Sequence, residues 1–370
     1  MSHFSVLVIG DNVEAQLQPY HEFECTGTDD KYVQDIDQTA ELREEFENST
    51  TTRVRLPSGE MIERHDDRCY RELTDEEQKK NLGGSGFGGG ISWYSKDWGD
   101  GRGYRTKVHQ LPEGAEEIKF PTKELRTFVD WLEGWHGRKV VPFGEQPDLS
   151  KDHKYGYALV DEAGEVVKVV DRTNPNKHWD WWVVGGRWSG FLKLKAGGVG
   201  EMGDPGMFGS RANHGAGRAD VTTKGAVDFE GMRAEAGRAA AENWDRAAAA
   251  AQGESWEPWS VIGPKTGYDE VARETYRSQP AVERLKEAFD AFHDIDQYLT
   301  PREEFIQQAR DSAVSTFAVV KDGKWFERGS MGWWGAVSDE KDRVEWNRQF
   351  NELVDGLPDD TPLTVVDCHI

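Results

Sequence analysis

One short segment of the chain concentrates residue types that recognise planar and anionic ligands. It runs from Trp179 to Phe191 and contains four tryptophans, one arginine, one aspartate and three glycines. Indole rings offer large stacking faces, and the arginine guanidinium pairs well with planar or phosphate groups. The segment therefore predicts a ligand site, to which we assign Trp179, Asp180, Trp181, Gly185, Gly186, Arg187 and Trp188.

The composition of this segment also indicates how a ligand would be held. The glycine pair would let the backbone approach the ligand, Arg187 would bind an anionic or planar group, and Asp180 would orient Arg187 or accept from a base edge. The alternative is a strand and turn whose tryptophans enter the core while Arg187 forms a surface ion pair. Because neighbouring side chains of a strand face opposite sides, Trp181 and Trp182 cannot both enter one core face.

A second pair of adjacent tryptophans, Trp333 and Trp334, lies between glycines and follows a predicted hairpin. Trp181 and Trp182 likewise follow a predicted hairpin and precede glycines. If the two segments arose by duplication, both pairs could line one cleft from opposite sides. We therefore include Trp333 and Trp334 in the predicted ligand site.

Polar residues near the two ends of the sequence form a weaker candidate for catalysis. They are His21, Glu22, Asp367 and His369. If predicted strands at Phe4 to Ile9 and Leu363 to Val366 are neighbours, these side chains could converge at a sheet end as an acid–base pair or as metal ligands. Two separate solvated loops are the alternative. Because no recognised ligand spacing is present, we predict no metal site.

The charge balance limits the classes of partner. The chain has 45 Lys and Arg against 68 Asp and Glu, a net charge of -23, so its average surface repels phosphate backbones. We expect no general coating of nucleic acid. An acidic surface could instead imitate nucleic acid for a basic protein partner, and a predicted helix from about Thr39 to Glu47 carries the relevant carboxylates, Glu41, Glu44, Glu45 and Glu47.

Cysteine usage and apolar runs bear on location. Three widely spaced cysteines argue against a disulfide framework and favour a reducing compartment. The first residues lack signal-peptide features, and no run approaches the roughly 20 apolar residues of a membrane helix. We expect a cytoplasmic protein with no membrane partner. Familiar hydrolase and kinase motifs are absent from the sequence, so the reaction type and any cofactor stay unknown.

The order of predicted elements indicates an α+β fold, with a mixed or antiparallel sheet that includes both terminal strands and helices packed on it. Hairpins are predicted at Thr51 to Glu63, Tyr155 to Val170 and Thr316 to Glu327. Further helices are predicted at Phe229 to Ala251, Ala281 to His293, Pro301 to Ser312 and Asp339 to Leu357. We divide the chain into residues 1–195 as the N-terminal part of the core, 196–260 as a Gly/Ala-rich insertion, and 261–370 as the part that completes the core.

One more predicted helix has a specific cap. Thr122 would begin it and Gly137 would end it, and its apolar residues recur at helical spacing. This pattern predicts that Trp131 and Trp135 both face the core.

The opening Met1 to Gly10, the central Lys177 to Gly190 and the ending Val366 to Ile370 together resemble an uncharacterised family of bacteriophage and bacterial hypothetical proteins. The likeness spans most of the chain. It implies a phage or mobile-element setting and a place in the host cytoplasm. It implies no established activity and no residue roles.

Two functions follow as hypotheses. The first is a phage or mobile-element accessory protein whose Trp/Arg-lined site takes a nucleotide-like or other planar anionic ligand, with enzymatic activity left open. The alternative is an acidic, non-enzymatic protein that binds and inhibits a host defence factor. A structural role in which the tryptophans only fill cores ranks below both.

Overall fold

The computed structural model describes residues 2–22, 30–72, 74, 107–206, 217–289, 293–332 and 336–370. Its helices are α1 (Val13–Leu17), α2 (Thr39–Asn48), α3 (Phe128–Trp135), α4 (Phe229–Ala251), α5 (Trp259–Thr266), α6 (Glu270–Arg277), α7 (Pro280–Ala288), α8 (Arg302–Ser312) and α9 (Arg343–Asp355).

Its strands are β1 (His3–Ile9), β2 (Gln34–Asp37), β3 (Thr50–Arg55), β4 (Met61–Glu63), β5 (Tyr70–Glu72), β6 (Lys107–His109), β7 (Glu116–Pro121), β8 (Lys139–Val141), β9 (Gly156–Val160), β10 (Val166–Thr173), β11 (Trp181–Val184), β12 (Leu192–Lys193), β13 (Gly200–Glu201), β14 (Arg218–Ala219), β15 (Val221–Thr223), β16 (Ala318–Lys321), β17 (Lys324–Glu327), β18 (Ser330–Met331), β19 (Val337–Ser338) and β20 (Pro362–His369). The predicted α+β class is confirmed.

The chain divides into two compact units. Unit 1 comprises Met1–Phe23 and Asn174–Ile370, and unit 2 comprises Glu24–Thr173. None of the helices in the described ranges has the length and apolar character needed to cross a membrane.

Unit 1 is built around a mixed sheet in the order β13-β15-β20-β1-β16-β17, in which β11 also pairs with β20. β1 runs antiparallel to β20 along its whole length and parallel to β16. The two strands predicted at the ends of the sequence are therefore central neighbours. This confirms the predicted sheet that includes both of them.

Both faces of the central strands are covered, which explains why β1 and β20 carry apolar residues on both faces. Leu7, Ile9 and Val365 belong to the core cluster that includes Trp346 and Phe350 of α9. On the opposite face, a second cluster contains the alternate residues of β1, namely Phe4, Val6 and Val8.

Helix α9 covers the first of these faces because its apolar residues recur every four positions. Trp346, Phe350 and Val354 are buried, and the Trp346 indole N–H donates to the carbonyl of Thr316. The helix begins after Asp342, whose carboxylate accepts the Glu345 backbone N–H. The start predicted at Asp339 is therefore too early.

Unit 2 contains a four-stranded sheet in the order β2-β10-β9-β8 and a three-stranded sheet in the order β4-β3-β7. Helices α2 and α3 pack on the first sheet through Phe46, Trp131 and Leu132, which join Ala158 and Val169 in one buried cluster. The predicted hairpins β3–β4 and β9–β10 are both present.

The structure corrects the predicted start of helix α3. Residues Thr122–Glu124 form a separate short 3-10 helix. Thr127 caps helix α3: its side chain accepts the Asp130 backbone N–H, and the Asp130 carboxylate accepts the Thr127 backbone N–H. With this register Trp131 is buried, but Trp135 in the last turn is 75% exposed. The prediction that both indoles face the core is wrong for Trp135.

The unit boundaries differ from the predicted division at residues 195 and 260. The predicted insertion adds β15 to the central sheet beside β20, and Val227 and Met232 lie in the core cluster with Leu7. The sequence does not predict that this stretch joins the core, because its many glycines and alanines give only a weak apolar pattern. Residues 207–216 of this stretch lie outside the described residues.

We expect Leu363→Ala to destabilise the protein by about 2–5 kcal/mol, because Leu363 is fully buried in the central strand β20. Urea unfolding followed by tryptophan fluorescence measures the change. Val344→Ala, at an exposed position of the same unit, should stay within about 0.5 kcal/mol of the parent. Equal losses in the two variants would contradict the placement of β20 in the core.

Candidate functional site

The candidate site lies at one end of a face of the central sheet in unit 1. β1 contributes His3, β20 contributes Asp367 and His369, and β11 contributes Trp181. His369 lies directly opposite His3 on one side and Trp181 on the other. By strand alternation all four side chains share the face of Leu7 and Val365, so apolar residues give way to polar ones toward this end.

Each of the two histidines is held by a carboxylate. The Nδ1 atom of His3 lies 2.8 Å from Oδ1 of Asp367, and the Nδ1 atom of His369 lies 2.6 Å from Oδ1 of Asp180. The side chains of His3 and His369 are 11% and 7% exposed. Their orientation is therefore fixed by packing as well as by hydrogen bonding.

The rings of this site touch one another. The imidazoles of His3 and His369 have centroids 4.9 Å apart at an interplanar angle of 75°. Trp181 stacks on His369 at 5.1 Å and 16°, and its ring meets His3 edge-on at 5.3 Å. Two imidazole–carboxylate pairs thus stand side by side with an indole against both.

This geometry leaves one nitrogen of each imidazole available for proton exchange. An ionised carboxylate only accepts hydrogen bonds, so each Nδ1 carries a proton that it donates to its partner. Across the described residues, neither Nε2 atom of His3 or His369 has a hydrogen-bond partner. The Nε2 atoms can therefore accept or release a proton, as in oriented catalytic histidines.

Asp367 also fixes the glycine-containing loop beside the site. Its second oxygen, Oδ2, accepts the backbone N–H of Arg187 at 2.9 Å. Gly186 has φ 54°, and a Cβ there would collide with the Asp367 side chain. Close approach of the backbone to Asp367 is therefore one reason for glycine at position 186, and the predicted role of the glycine pair in admitting a ligand stays a prediction.

The neighbouring glycine has the same kind of role with another carboxylate. Gly185 has φ 80°, and a Cβ there would lie 2.6 Å from Oδ2 of Asp220. Asp220 is completely buried and accepts the N–H groups of Gly190 and Gly203 at 2.6 and 2.8 Å, together with the Ser189 hydroxyl at 3.1 Å. Buried donors gathered on one carboxylate hold this loop rigidly.

Arg187 extends from that loop into solvent. Its side chain is exposed, and its guanidinium forms no ion pair within the described part of the chain. The alternative interpretation, in which Arg187 is used up in a surface ion pair, finds no support there. Asp180 does not orient Arg187 as predicted, because its carboxylate binds His369 instead.

The predicted tryptophans separate into packed and exposed groups. Trp179 is buried in the core, where its N–H donates to the carbonyl of Leu17, and Trp182 and Trp188 pack against core clusters. Trp181 is 43% exposed. The expectation that Trp181 and Trp182 cannot share a core face is confirmed. Trp333 and Trp334 lie outside the described residues.

The second predicted cluster is brought together only in part. Asp367 and His369, which belong to one strand, lie at the sheet end, but His21 and Glu22 do not converge with them there. His21 stacks on the buried Trp179 at 4.4 Å, and its Nε2 lies 2.9 Å from the carbonyl oxygen of Asp180. It therefore packs beside the core tryptophan and not with His3 and His369. Glu22 instead forms an ion pair with Lys177 at 2.8 Å.

A thiol lies within the same strand but on its other face. Cys368 is fully buried, and this burial raises the pKa of its thiol well above the ordinary value. A thiol kept protonated and out of solvent is inert as a nucleophile. The chemistry of the site therefore rests on imidazole, carboxylate, indole and guanidinium groups.

No family model, curated protein or solved structure matches this chain. The site must therefore be interpreted from its own geometry. In the described ranges, no three His, Cys, Asp or Glu side chains gather in a way that could hold a metal ion.

The carboxylates predicted for a protein partner lie on helix α2 of unit 2. Glu41, Glu44, Glu45 and Glu47 are all exposed. Glu47 forms an ion pair with Lys123, and an oxygen of Glu45 lies 3.7 Å from Nε2 of His136. Of the four carboxylates, Glu47 is thus partly neutralised by a lysine of its own unit.

Sequence reasoning missed two residues of the site, His3 and Asp220. A signal for His3 exists, because antiparallel pairing of the predicted terminal strands places it opposite His369. The sequence contains no comparable indication for Asp220, since the groups that donate to it come from two loops, around Ser189–Gly190 and at Gly203.

We expect Asp220→Ala to destabilise the protein by at least about 3 kcal/mol, because it leaves several buried donors without an acceptor. The matched control is Asp204→Ala, an exposed position where only the backbone carbonyl contacts the loop, by accepting the Gly186 N–H. Urea unfolding of both variants measures the difference. A stability loss confined to Asp204→Ala, or absent from both, would contradict the assigned role of Asp220.

Proposed function

We propose that the sheet-end site binds a nucleotide-like or other planar anionic ligand and that its two imidazoles exchange protons with the bound ligand. The observation that carries this proposal is the pair of carboxylate-anchored imidazoles in ring contact, beside a partly exposed indole. The sequence resemblance adds a phage or mobile-element setting to the proposal.

The indole and the guanidinium support binding of a planar anion. Trp181 leaves 43% of its surface exposed while one face rests on His369. A base or other flat ring can stack on such an indole. Arg187 extends from a rigid loop whose backbone N–H is held by Asp367. Its fork of donors suits a phosphate or carboxylate and is free to meet one.

The paired imidazoles support acid–base chemistry on a phosphate ester. One imidazole, neutral and with its proton on Nδ1, would take a proton from an attacking water at Nε2. The other, in its doubly protonated form, would give its Nε2 proton to the leaving oxygen, as one P–O bond forms and another breaks. Each Nδ1–H stays with its carboxylate throughout, which holds the rings in place. His3 and His369 are the residues we assign to these two steps.

The alternative function, inhibition of a host factor by an acidic surface, has weaker support. Glu41 and Glu44 remain exposed and without an ion pair within the described residues. Glu45 and Glu47 face His136 and Lys123. Among the described residues, no other observation singles out a protein-binding face.

We expect Arg187→Lys to weaken binding of adenosine 5′-monophosphate about five- to tenfold, because the bidentate geometry is lost while the charge is kept. Isothermal titration calorimetry measures the dissociation constant, with adenosine as the uncharged comparison ligand. Arg126→Lys is the matched control, since Arg126 is also exposed. Absence of saturable binding in the parent protein, or equal affinity in both variants, would reject the ligand site.

If the site is catalytic, turnover of a nucleotide phosphate ester should fall at least about a hundredfold in His3→Gln and in His369→Gln. Phosphorus NMR of nucleotide monoesters and cyclic diesters measures product formation, and calorimetry separates lost chemistry from lost binding. His65→Gln, an exposed histidine of unit 2, should leave turnover unchanged. Binding without turnover in the parent would restrict the proposal to a ligand-binding site.

A further inference from the structure

A separate cavity of about 410 Å³ lies elsewhere in unit 1, between the β16–β17 hairpin and helix α9. Small-molecule pockets usually have volumes of about 300–1,000 Å³, with mostly apolar walls and a few polar groups. The walls of this cavity include the aromatic residues Phe326, Trp346 and Phe350. It belongs to neither the sheet-end site nor the loop beside it.

The walls of the cavity follow from simple periodicities. The hairpin pairs Val319 with Phe326 and Lys321 with Lys324, so all four side chains share one face of the sheet. Helix α9 faces them with Trp346, Gln349, Phe350 and Leu353, which have helical spacing. Trp346 and Phe350 are buried in the floor. Phe326 is 48% exposed at the mouth.

The mouth carries positive charge in a strongly acidic protein. Lys321 forms an ion pair with Asp322. Lys324 is exposed and has no ion pair across the described ranges. With two lysines and one aspartate lining the cavity, the local balance is one positive charge, against -23 for the whole chain. An apolar interior with an unpaired ammonium at its entrance complements a ligand that has an apolar body and one anionic end.

The adjoining strand edge is poorly suited to adding a peptide strand. β17 is the last strand in its sheet, and an open edge can pair with an extended peptide. However, the Tyr20 hydroxyl accepts the Trp325 N–H at 3.0 Å and donates to the Gly323 carbonyl at 2.8 Å. His178 also stacks on Trp325 at 4.5 Å. These contacts occupy the edge, so the cavity favours a small molecule.

We propose that the cavity between β17 and α9 binds an apolar monocarboxylate, with the hydrocarbon against Phe326, Phe350 and Leu353 and the carboxylate at Lys324. This site is independent of the function proposed for the sheet end. The proposal concerns binding alone and includes no reaction. Lys321 and Lys324 are the cationic groups among the described residues that line the cavity.

Decanoate is the probe, and decanol is the comparison ligand of equal length without charge. Calorimetry with the full chain should give one binding site for decanoate and a weaker affinity for decanol. Lys324→Glu should weaken decanoate binding about three- to tenfold and leave decanol binding unchanged. Lys151→Glu, at an exposed lysine of unit 2, controls for the change in net charge.

A second variant tests the apolar part of the site. Phe326→Ser should weaken both ligands at least about tenfold, because the phenyl group that the ligand would cover is removed. Phe326 is half exposed, so the variant should fold, and circular dichroism checks this. Phe143→Ser, with 59% exposure in unit 2, is the matched control.

Three results of the binding measurements would overturn the proposal. They are no saturable decanoate binding, equal decanoate affinity in the parent and in Phe326→Ser, and equal effects of Lys324→Glu and Lys151→Glu. Sedimentation velocity tests whether a second copy of the chain occupies the cavity instead. A dimer that Phe326→Ser dissociates would assign the cavity to self-association and would also overturn it.

Discussion

Strands β1 and β20 pair antiparallel from His3 opposite His369 to Ile9 opposite Leu363. The apolar end of this ladder is buried between two core clusters, and its polar end brings two imidazoles into contact. One set of backbone hydrogen bonds therefore determines both the core and the geometry of the candidate site. A shift of register by one residue would move His3 and the core residues of β1 to the opposite face together.

Two buried carboxylates connect this framework to the loop that follows β11. Asp367 binds His3 with one oxygen and the Arg187 backbone with the other, so a single side chain positions an imidazole and the start of a guanidinium-bearing side chain. Asp220 holds the rest of the loop. Buried carboxylates are costly to desolvate, and satisfying each with several donors offsets that cost. Such preorganisation is typical of sites that must meet a ligand with little rearrangement.

The sequence predicts those parts of the molecule whose signals are local. The apolar runs of β1 and β20, the alanine-rich helix α4 and the β9–β10 hairpin are found where expected. The pairing of the terminal strands is also found as expected, but it brings His3 opposite His369, whereas His21 and Glu22 do not converge with Asp367 and His369. His3 is not predicted as a site residue, because a single histidine at the start of a strand can be assigned to a site only when its distant partner in the fold is known. The same holds for Asp220, and for Trp135, whose exposure depends on a cap five residues later than predicted.

The pairing of strands β1 and β20 has a consequence for the biosynthesis of the protein. His3 and Asp367 are 364 positions apart, so their contact is among the most non-local that the chain can make. Non-local strand pairing slows folding, and β1 leaves the ribosome long before β20 exists. Until β20 is synthesised, the apolar residues of β1 must be covered by chaperones or by temporary contacts with other parts of the chain. The strand that ends this exposure also brings the second imidazole, so the central core and the imidazole pair are completed in the same folding event.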